Sequence, residues 1–317
     1  MNIYYWASDK SFNTGEGILA NQFIKEIQRI NTDYKLISIN KKLKSGNNLI
    51  GKYIMPIYGI MKIWQHTLNG RKTCFINYLP LWNFIIFLLL PKKTILGPIT
   101  GTIIPRKYDN LLNFLKFISI KIILIKFQNV LLATNFFINY FKNKCNLYSN
   151  FIFSEFKFNH IRLNKKYDFI IYNRKHDTKG NYFAIEIVKL LAKKKFKIAV
   201  LGDRIKNINN NIKNHGYIKR KFAKKVIAQS KYSLSSAENL YSFFTQDCLS
   251  ENLIVFYNSY FKNYCHFFKK QLIPLNYSNA IISFAKIMKR IGKINKNKIN
   301  ENTNFKIYFE NYFKNLV

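Results

Sequence analysis

Residues Ser235–Asn258 read SSAENLYSFFTQDCLSENLIVFYN. A β-prone run holding Tyr232 and Leu234 precedes them, so Glu238 and Asn239 fall at the C-terminal end of an expected strand. A short aromatic helix pattern follows, carrying Gln246 and Asp247, and a second strand is expected over Leu253–Tyr257. Strand, polar tip, helix, strand is the unit from which α/β sheets are wound. Open sheets of that kind bind ligands at the carboxyl ends of their strands. An acid at such a tip is informative here, because the chain has only 15 Asp+Glu in 317 residues.

The alternation extends outward in both directions. Upstream, Phe169–Tyr172 reads as a strand ending in Asn173-Arg174, and Phe183–Lys195 as a helix. Lys197–Leu201 is a strand closed by Gly202-Asp203, followed by an Asn-rich exposed loop over 206–214, a short extended stretch over His215–Ile218 and a basic helix over Lys219–Gln229. Downstream, Pro274–Arg290 reads as a helix. The N-terminal half repeats the theme. A strand over Asn2–Ala7 leads through a loop ending Thr14-Gly15-Glu16-Gly17 into a helix with Ile18, Leu19, Phe23, Ile24 and Ile27 on one side. Strands follow over Tyr34–Asn40, Thr73–Tyr78, Lys93–Leu96 and Val130–Thr134. Helices are expected over Ile50–Leu68 (bent by Pro56 and Gly59), Leu81–Leu90, Leu111–Phe127 and Phe136–Lys144. The polar, basic stretch Phe156–Lys166 separates the halves. The expected division is 1–160, 165–290 and, after a Lys/Asn-rich hinge, a last helix within 300–317.

The 48% hydrophobic content suffices for a sizeable core and argues against wholesale disorder. The formal charge of +37 admits three readings. One is phosphate neutralisation on a nucleic acid. Another is an anionic membrane surface, favoured because the basic residues are interleaved with apolar runs. The third is a coding bias toward Lys, Asn, Ile, Phe and Tyr. The four cysteines have no metal-ligand spacing, so no metal site and no disulfide framework are expected. MNIYYWASDK lacks a signal-peptide pattern, and the apolar runs are broken by Pro91, Lys116, Lys121 and Lys126 before they reach spanning length. The expectation is a cytoplasmic protein, peripheral at the inner face of the cell membrane.

Three spaced signals carry chemistry in the second half. Arg174 stands at a strand end and Lys179-Gly180 just before a helix, which together make an anion site. Gly202-Asp203 ends the next strand, and Glu238 the one after Gly216-Tyr217. This order resembles the C-terminal domain of the retaining GT-B glycosyltransferases of the large group 1 (family 4) set. The resemblance rests on Arg174, Lys179-Gly180, Val200-Leu201-Gly202-Asp203, Gly216-Tyr217, and Ser235/Ser236 with Glu238, within residues 167–258. It implies two Rossmann-like α/β domains facing across a cleft, with the C-terminal helix returning to the first. It further implies transfer of a sugar from a nucleotide-diphosphate donor to a glycan or lipid-linked acceptor in surface polysaccharide or lipopolysaccharide synthesis. No cofactor beyond the donor substrate and no metal are implied; no Asp-x-Asp occurs. Arg174 and Lys179 then hold the diphosphate and offset the charge that develops as it leaves. Glu238 contacts the sugar hydroxyls. Gly202, Asp203, Asn239 and Asp247 line the donor site, while Gly15 and Gly17 let the first-domain loop come close to it.

Several residues depart from the family pattern. Asn239–Phe243 replaces the family's Gly-Phe-Gly-x-Pro, and the second acid of the motif is Gln246, with Asp247 one position late. Each residue also has a plainer reading. Arg174 and Lys179 are two cations among 52, and Glu238 suits the N-terminus of any helix. Asp247 suits a surface helix, and Gly15-Glu16-Gly17 suits a turn. The rival functions are a basic nucleic-acid-binding protein, disfavoured because no such motif occurs, and a GT-B-like protein that binds a partner without catalysis.

Overall fold

The computed structural model describes residues 2–12, 14–30, 35–39, 54–77, 79–100, 110–127, 129–133, 147–150, 164–175, 181–206, 210–237, 239–264 and 268–291. The chain divides into two compact units, Met1–Ser154 with Asn304–Val317, and Glu155–Thr303. The expected helices over Phe136–Lys144 and Phe305–Leu316, most of the expected linker, Lys179 and Glu238 lie outside the described residues.

In the first unit the elements run β1 (Asn2–Trp6), α1 (Gly15–Ile30), β2 (Lys35–Ser38), α2 (Met55–Leu68), β3 (Lys72–Phe75), α3 (Phe84–Leu89), β4 (Ile95–Leu96), α4 (Asn110–Lys126), β5 (Asn129–Leu132) and β6 (Leu147–Asn150). A parallel sheet has the order β2-β1-β3-β4, with Tyr4 opposite Ile37 on one side and Thr73 on the other. The parallel pair β5-β6 joins it past β4, where Ile99 donates to the Leu131 carbonyl and Ala133 donates to that of Ile99. Trp6, Phe23, Phe75 and Phe87 fill the core. The residues expected to bend α2 have other roles. Pro56 sits in the first turn, where its missing N–H costs nothing. Gly59 faces the Trp6 indole so closely that a Cβ would overlap the ring.

The second unit holds β7 (Tyr167–Asn173), α5 (Asn181–Lys193), β8 (Ile198–Gly202), β9 (Ile212–Gly216), α6 (Arg220–Ala228), β10 (Ser230–Leu234), α7 (Phe243–Ser250), β11 (Ile254–Asn258), a 3-10 turn (Ser259–Tyr264), β12 (Leu272–Leu275) and α8 (Ala280–Ile291). Among the described residues every pairing between the strands of its sheet is parallel, in the order β12-β11-β10-β7-β8-β9. Counted within the unit from its far edge, that order is 3-2-1-4-5-6, the Rossmann arrangement. Phe169, Ile171, Val200, Leu234 and Phe256 form the middle of its core, with α5 and α8 packed over them.

In this second unit two strands depart from the expected pattern, as β6, which the sequence did not announce, does in the first. The start of the expected helix Pro274–Arg290 is the edge strand β12; Pro274 sits opposite Tyr257, and the helix begins at Ala280. An edge strand tolerates proline because one side of the ladder is vacant. Part of the expected Asn-rich loop is β9. There Asn214 uses its amide to accept from the Ile205 N–H and donate to the Ile205 carbonyl, both at 2.9 Å. That bond pair stands in for a rung of ladder, which β-propensity alone does not reveal.

Candidate functional site at the strand switch

From β7 the chain winds outward to β8 and β9, then crosses back to β10 and winds the other way. Right-handed crossovers therefore put α5 on one face of the sheet and α7 on the other. The connections leaving β7 and β10 diverge, and a crevice opens between these neighbours at their carboxyl ends. Arg174 follows β7, and residues 235–241 follow β10. The N-termini of both following helices lie at this same end, where free N–H groups favour an anion.

The loop after β10 is fixed from several sides. Ser235 donates its N–H to the Phe256 carbonyl, and Asn258 Nδ2 donates to the Ala237 carbonyl at 3.2 Å. The Tyr277 hydroxyl donates to the carbonyl of Ser235 at 2.8 Å and is shared with that of Phe256 at 3.2 Å. Burial raises the Tyr277 phenol above its ordinary range, and its ring stacks on Phe183. Asn239 Oδ1 accepts from the Tyr241 N–H at 3.0 Å, closing a tight turn. Ser242 then caps α7 by accepting from the Thr245 N–H at 3.2 Å.

Beside this loop, Asn173 and Asp203 tie the ends of β7 and β8 together. Asp203 donates its N–H to the Asn173 carbonyl, and Asn173 Nδ2 donates to the Asp203 carbonyl at 3.0 Å. Asp203 Oδ2 accepts from the Lys175 N–H at 2.6 Å and the Tyr217 hydroxyl at 3.0 Å. The Lys175 N–H, then the Tyr217 hydroxyl and the Lys175 and Arg174 charges, hold the Asp203 carboxyl below the usual carboxylate range. Gly202 has φ +83°, and a Cβ there would overlap the Asn173 carbonyl oxygen. This glycine is thus required by the strand-end corner itself. Asn173 Oδ1 is enclosed and takes no hydrogen bond among the described residues.

Asp247 is buried, so a solvated surface residue is not what it proves to be. Arg220 grips it through two bonds, Nε to Oδ2 at 2.8 Å and a terminal nitrogen to Oδ1 at 2.7 Å, and Lys224 reaches Oδ1 at 3.3 Å. This fork bolts α6 to α7. Gln246, at the family's spacing, is also buried. Its amide donates to the Tyr241 carbonyl, while its Oε1 takes no hydrogen bond among the described residues. Arg174, Gly202, Asp203 and Asn239 thus belong to adjoining strand ends, whereas Asp247 is engaged by the neighbouring helix.

In the first unit the β1 tip has its own network. Asp9 accepts from the Ser11 N–H at 2.7 Å and the Thr14 hydroxyl at 2.6 Å. Asn77, at the end of β3, donates to the Asp9 carbonyl at 2.7 Å and to the Glu16 carbonyl at 3.3 Å. Gly15 faces open space, but a Cβ on Gly17 would overlap Ser11, so Gly17 serves the loop's own packing. Between them, Glu16 has Oε2 enclosed with no hydrogen-bond partner among the described residues. Burial, then the Asp9 charge, raises its carboxyl to about 7. The sequence motif points to the glycines rather than to this acid. The signal that marked Glu238, a scarce acid at a strand tip, applies equally to Glu16.

No family model matches the chain, and no curated protein matches it. Solved structures do. WaaG, a glycosyltransferase involved in lipopolysaccharide biosynthesis, superposes with a TM-score of 0.52 at 9% identity over 99% of this chain and 95% of its own. A glycosyltransferase from Rickettsia africae gives 0.51 at 11% identity over 99% and 92%. S. aureus MnaA, solved with UDP, gives 0.51 at 9% identity over 100% and 97%. At these identities the likeness is one of fold. Two Rossmann-like units of parallel sheet, matched along their whole length by such structures, give this chain the GT-B fold.

Proposed function

We propose that the protein is a glycosyltransferase that moves a sugar from a nucleotide-diphosphate donor to a glycan or lipid-linked acceptor. The observation that carries this reading is the strand switch between β7 and β10, which receives Arg174 on one side and the braced 235–241 loop on the other. An anion there meets the Arg174 guanidinium and the N-termini of α5 and α7, an arrangement suited to a diphosphate leaving group. Arg174 and Lys179 take the diphosphate. Glu238 and Asn239, on the loop after β10, take the sugar hydroxyls, and Asp203 with Gly202 shapes the neighbouring wall. Asp247 keeps α7 aligned through Arg220, so its effect on the donor is indirect. Two of the superposing structures are glycosyltransferases and a third was solved with UDP, which supports the same substrate class.

The test is a panel of UDP-, GDP- and ADP-sugars, read by donor hydrolysis or transfer and by titration with the free nucleotide diphosphates. Arg174→Ala is expected to weaken diphosphate binding about tenfold or more, and Glu238→Ala to abolish turnover while sparing diphosphate binding. Wild-type turnover in both variants would sink the assignment.

A further inference from the structure

Helix α2 is apolar on both sides. One side, Pro56, Gly59, Ile60 and Ile63, is buried against the sheet. The opposite side, Ile54, Ile57, Tyr58, Met61, Trp64 and Leu68, follows the three- and four-residue spacing of a single stripe and is exposed, with Gln65 as its polar member. Helix α4 repeats the pattern, with Leu111, Phe114, Phe117 and Ile125 exposed along one stripe beside Lys121. Between them α3 exposes Ile85, Leu88 and Leu89.

These stripes adjoin. The crossovers β2–β3 and β3–β4 run in the same direction across the sheet, so α2 and α3 lie on one face, and α3 packs on both α2 and α4. The end of α3 is pinned from both sides. Trp64 Nε1 donates to the Leu89 carbonyl at 2.7 Å, and Lys126 Nζ donates to that of Leu88 at 2.6 Å. A contiguous apolar surface on this scale calls for a cover.

We propose that the α2–α3–α4 face of the first unit docks onto an anionic lipid bilayer. The charge pattern selects this occupant. No acid occurs in the three helices, and Asp109 is the one acid in the sequence between Asp33 and Glu155. The cations stand among the aromatic rings, with Lys62 over Tyr58 at 5.8 Å and Lys121 over Phe117 at 5.2 Å, and Lys92 and Lys93 are exposed just past α3. Lysine stems bedded in apolar surface, with ammonium heads at its rim, match acyl chains below and acidic headgroups above. A second copy of the same face brings only like charge and no carboxylate to offset it. Among the described residues no helix is long and apolar enough to cross a membrane, so the contact is shallow.

The experiment is flotation of the full chain with phosphatidylcholine vesicles, with and without phosphatidylglycerol. A Met61→Ser/Trp64→Ser/Phe117→Ser variant is compared, and circular dichroism confirms its fold. The wild type is expected to float better with anionic than with neutral vesicles, and the variant to partition about tenfold or more less. Lys62→Glu/Lys121→Glu is expected to lose the anionic preference while staying folded. In the wild type, Trp64 emission shifts to the blue and is quenched by brominated acyl chains, and Trp64→Phe removes that signal. Equal flotation of wild type and variants overturns the proposal. So does a dimer by light scattering that the same substitutions dissolve, or binding to random duplex DNA that these substitutions abolish while flotation persists. Diphosphate titration of the same samples reports on the strand switch separately, so failure at one surface is not mistaken for failure at the other.

Discussion

Glu16 sits where burial and the Asp9 charge oppose its ionisation. Its carboxyl titrates at about 7 in the fold against 4.5 ordinarily, so the fold favours the neutral form. The stability that this contributes is complete below pH 4.5. It drains away as pH rises through about 7, because the unfolded chain ionises first. The expected size is about 3 kcal/mol. Urea midpoints at pH 5 and pH 8 should therefore show the wild type weakening with rising pH. Glu16→Gln, which keeps the shape without the charge, should flatten that slope; an unchanged slope refutes the account. Gly202 offers a second test at this scale. A side chain at φ +83° is strained and would also overlap Asn173, so Gly202→Ala is expected to cost about 2 kcal/mol or more in denaturant melts.

Among elements, the loop after β10 depends on a residue far along the chain. Tyr277→Phe deletes the hydroxyl that reaches the Ser235 and Phe256 carbonyls. It is expected to cost about 1 kcal/mol and to weaken donor binding through a looser 235–241 loop; unchanged affinity in a destabilised variant would separate the loop from the site. Asp247→Asn leaves Arg220 and Lys224 without their counter-charge and is expected to cost about 2 kcal/mol, read as a lower melting temperature. The sequence made β7, β8 and β11 legible because each is a dense apolar run closed by a polar tip, and β10 (SKYSL) through its β-prone Tyr232 and Leu234. It hid β9 and β12. IKNHG has little strand character apart from Ile212, and LIPL merges with the helical spacing that continues through Ile281. Both are edge strands, where pairing on one side suffices and the sequence signal is correspondingly weak.

On the scale of the whole molecule, +37 charges in 317 residues repel one another in the folded state. Added salt screens that repulsion. The melting temperature should accordingly rise with moderate sodium chloride, and a fall would show that favourable ion pairs dominate instead. The same ionic strength should release the protein from anionic vesicles only in part, because the apolar stripes of α2 and α4 do not depend on charge.

The sequence alone determined that this is an α/β chain of two wound halves, that Arg174 and Asn239 stand at strand ends, and that its first half is basic and apolar at once. Those are local properties, written in periodicity and composition. Only the tertiary structure decided that β7 and β10 are neighbours, since strand order is a long-range pairing that no local pattern encodes, and that pairing turns separate strand tips into one crevice. The structure likewise took Asp247 out of the surface by supplying Arg220 from another helix, and gave Glu16 its raised carboxyl by enclosing it. It also left one apolar side of α2 exposed while burying the other. Burial and partnership belong to the assembled fold, and an isolated residue has neither.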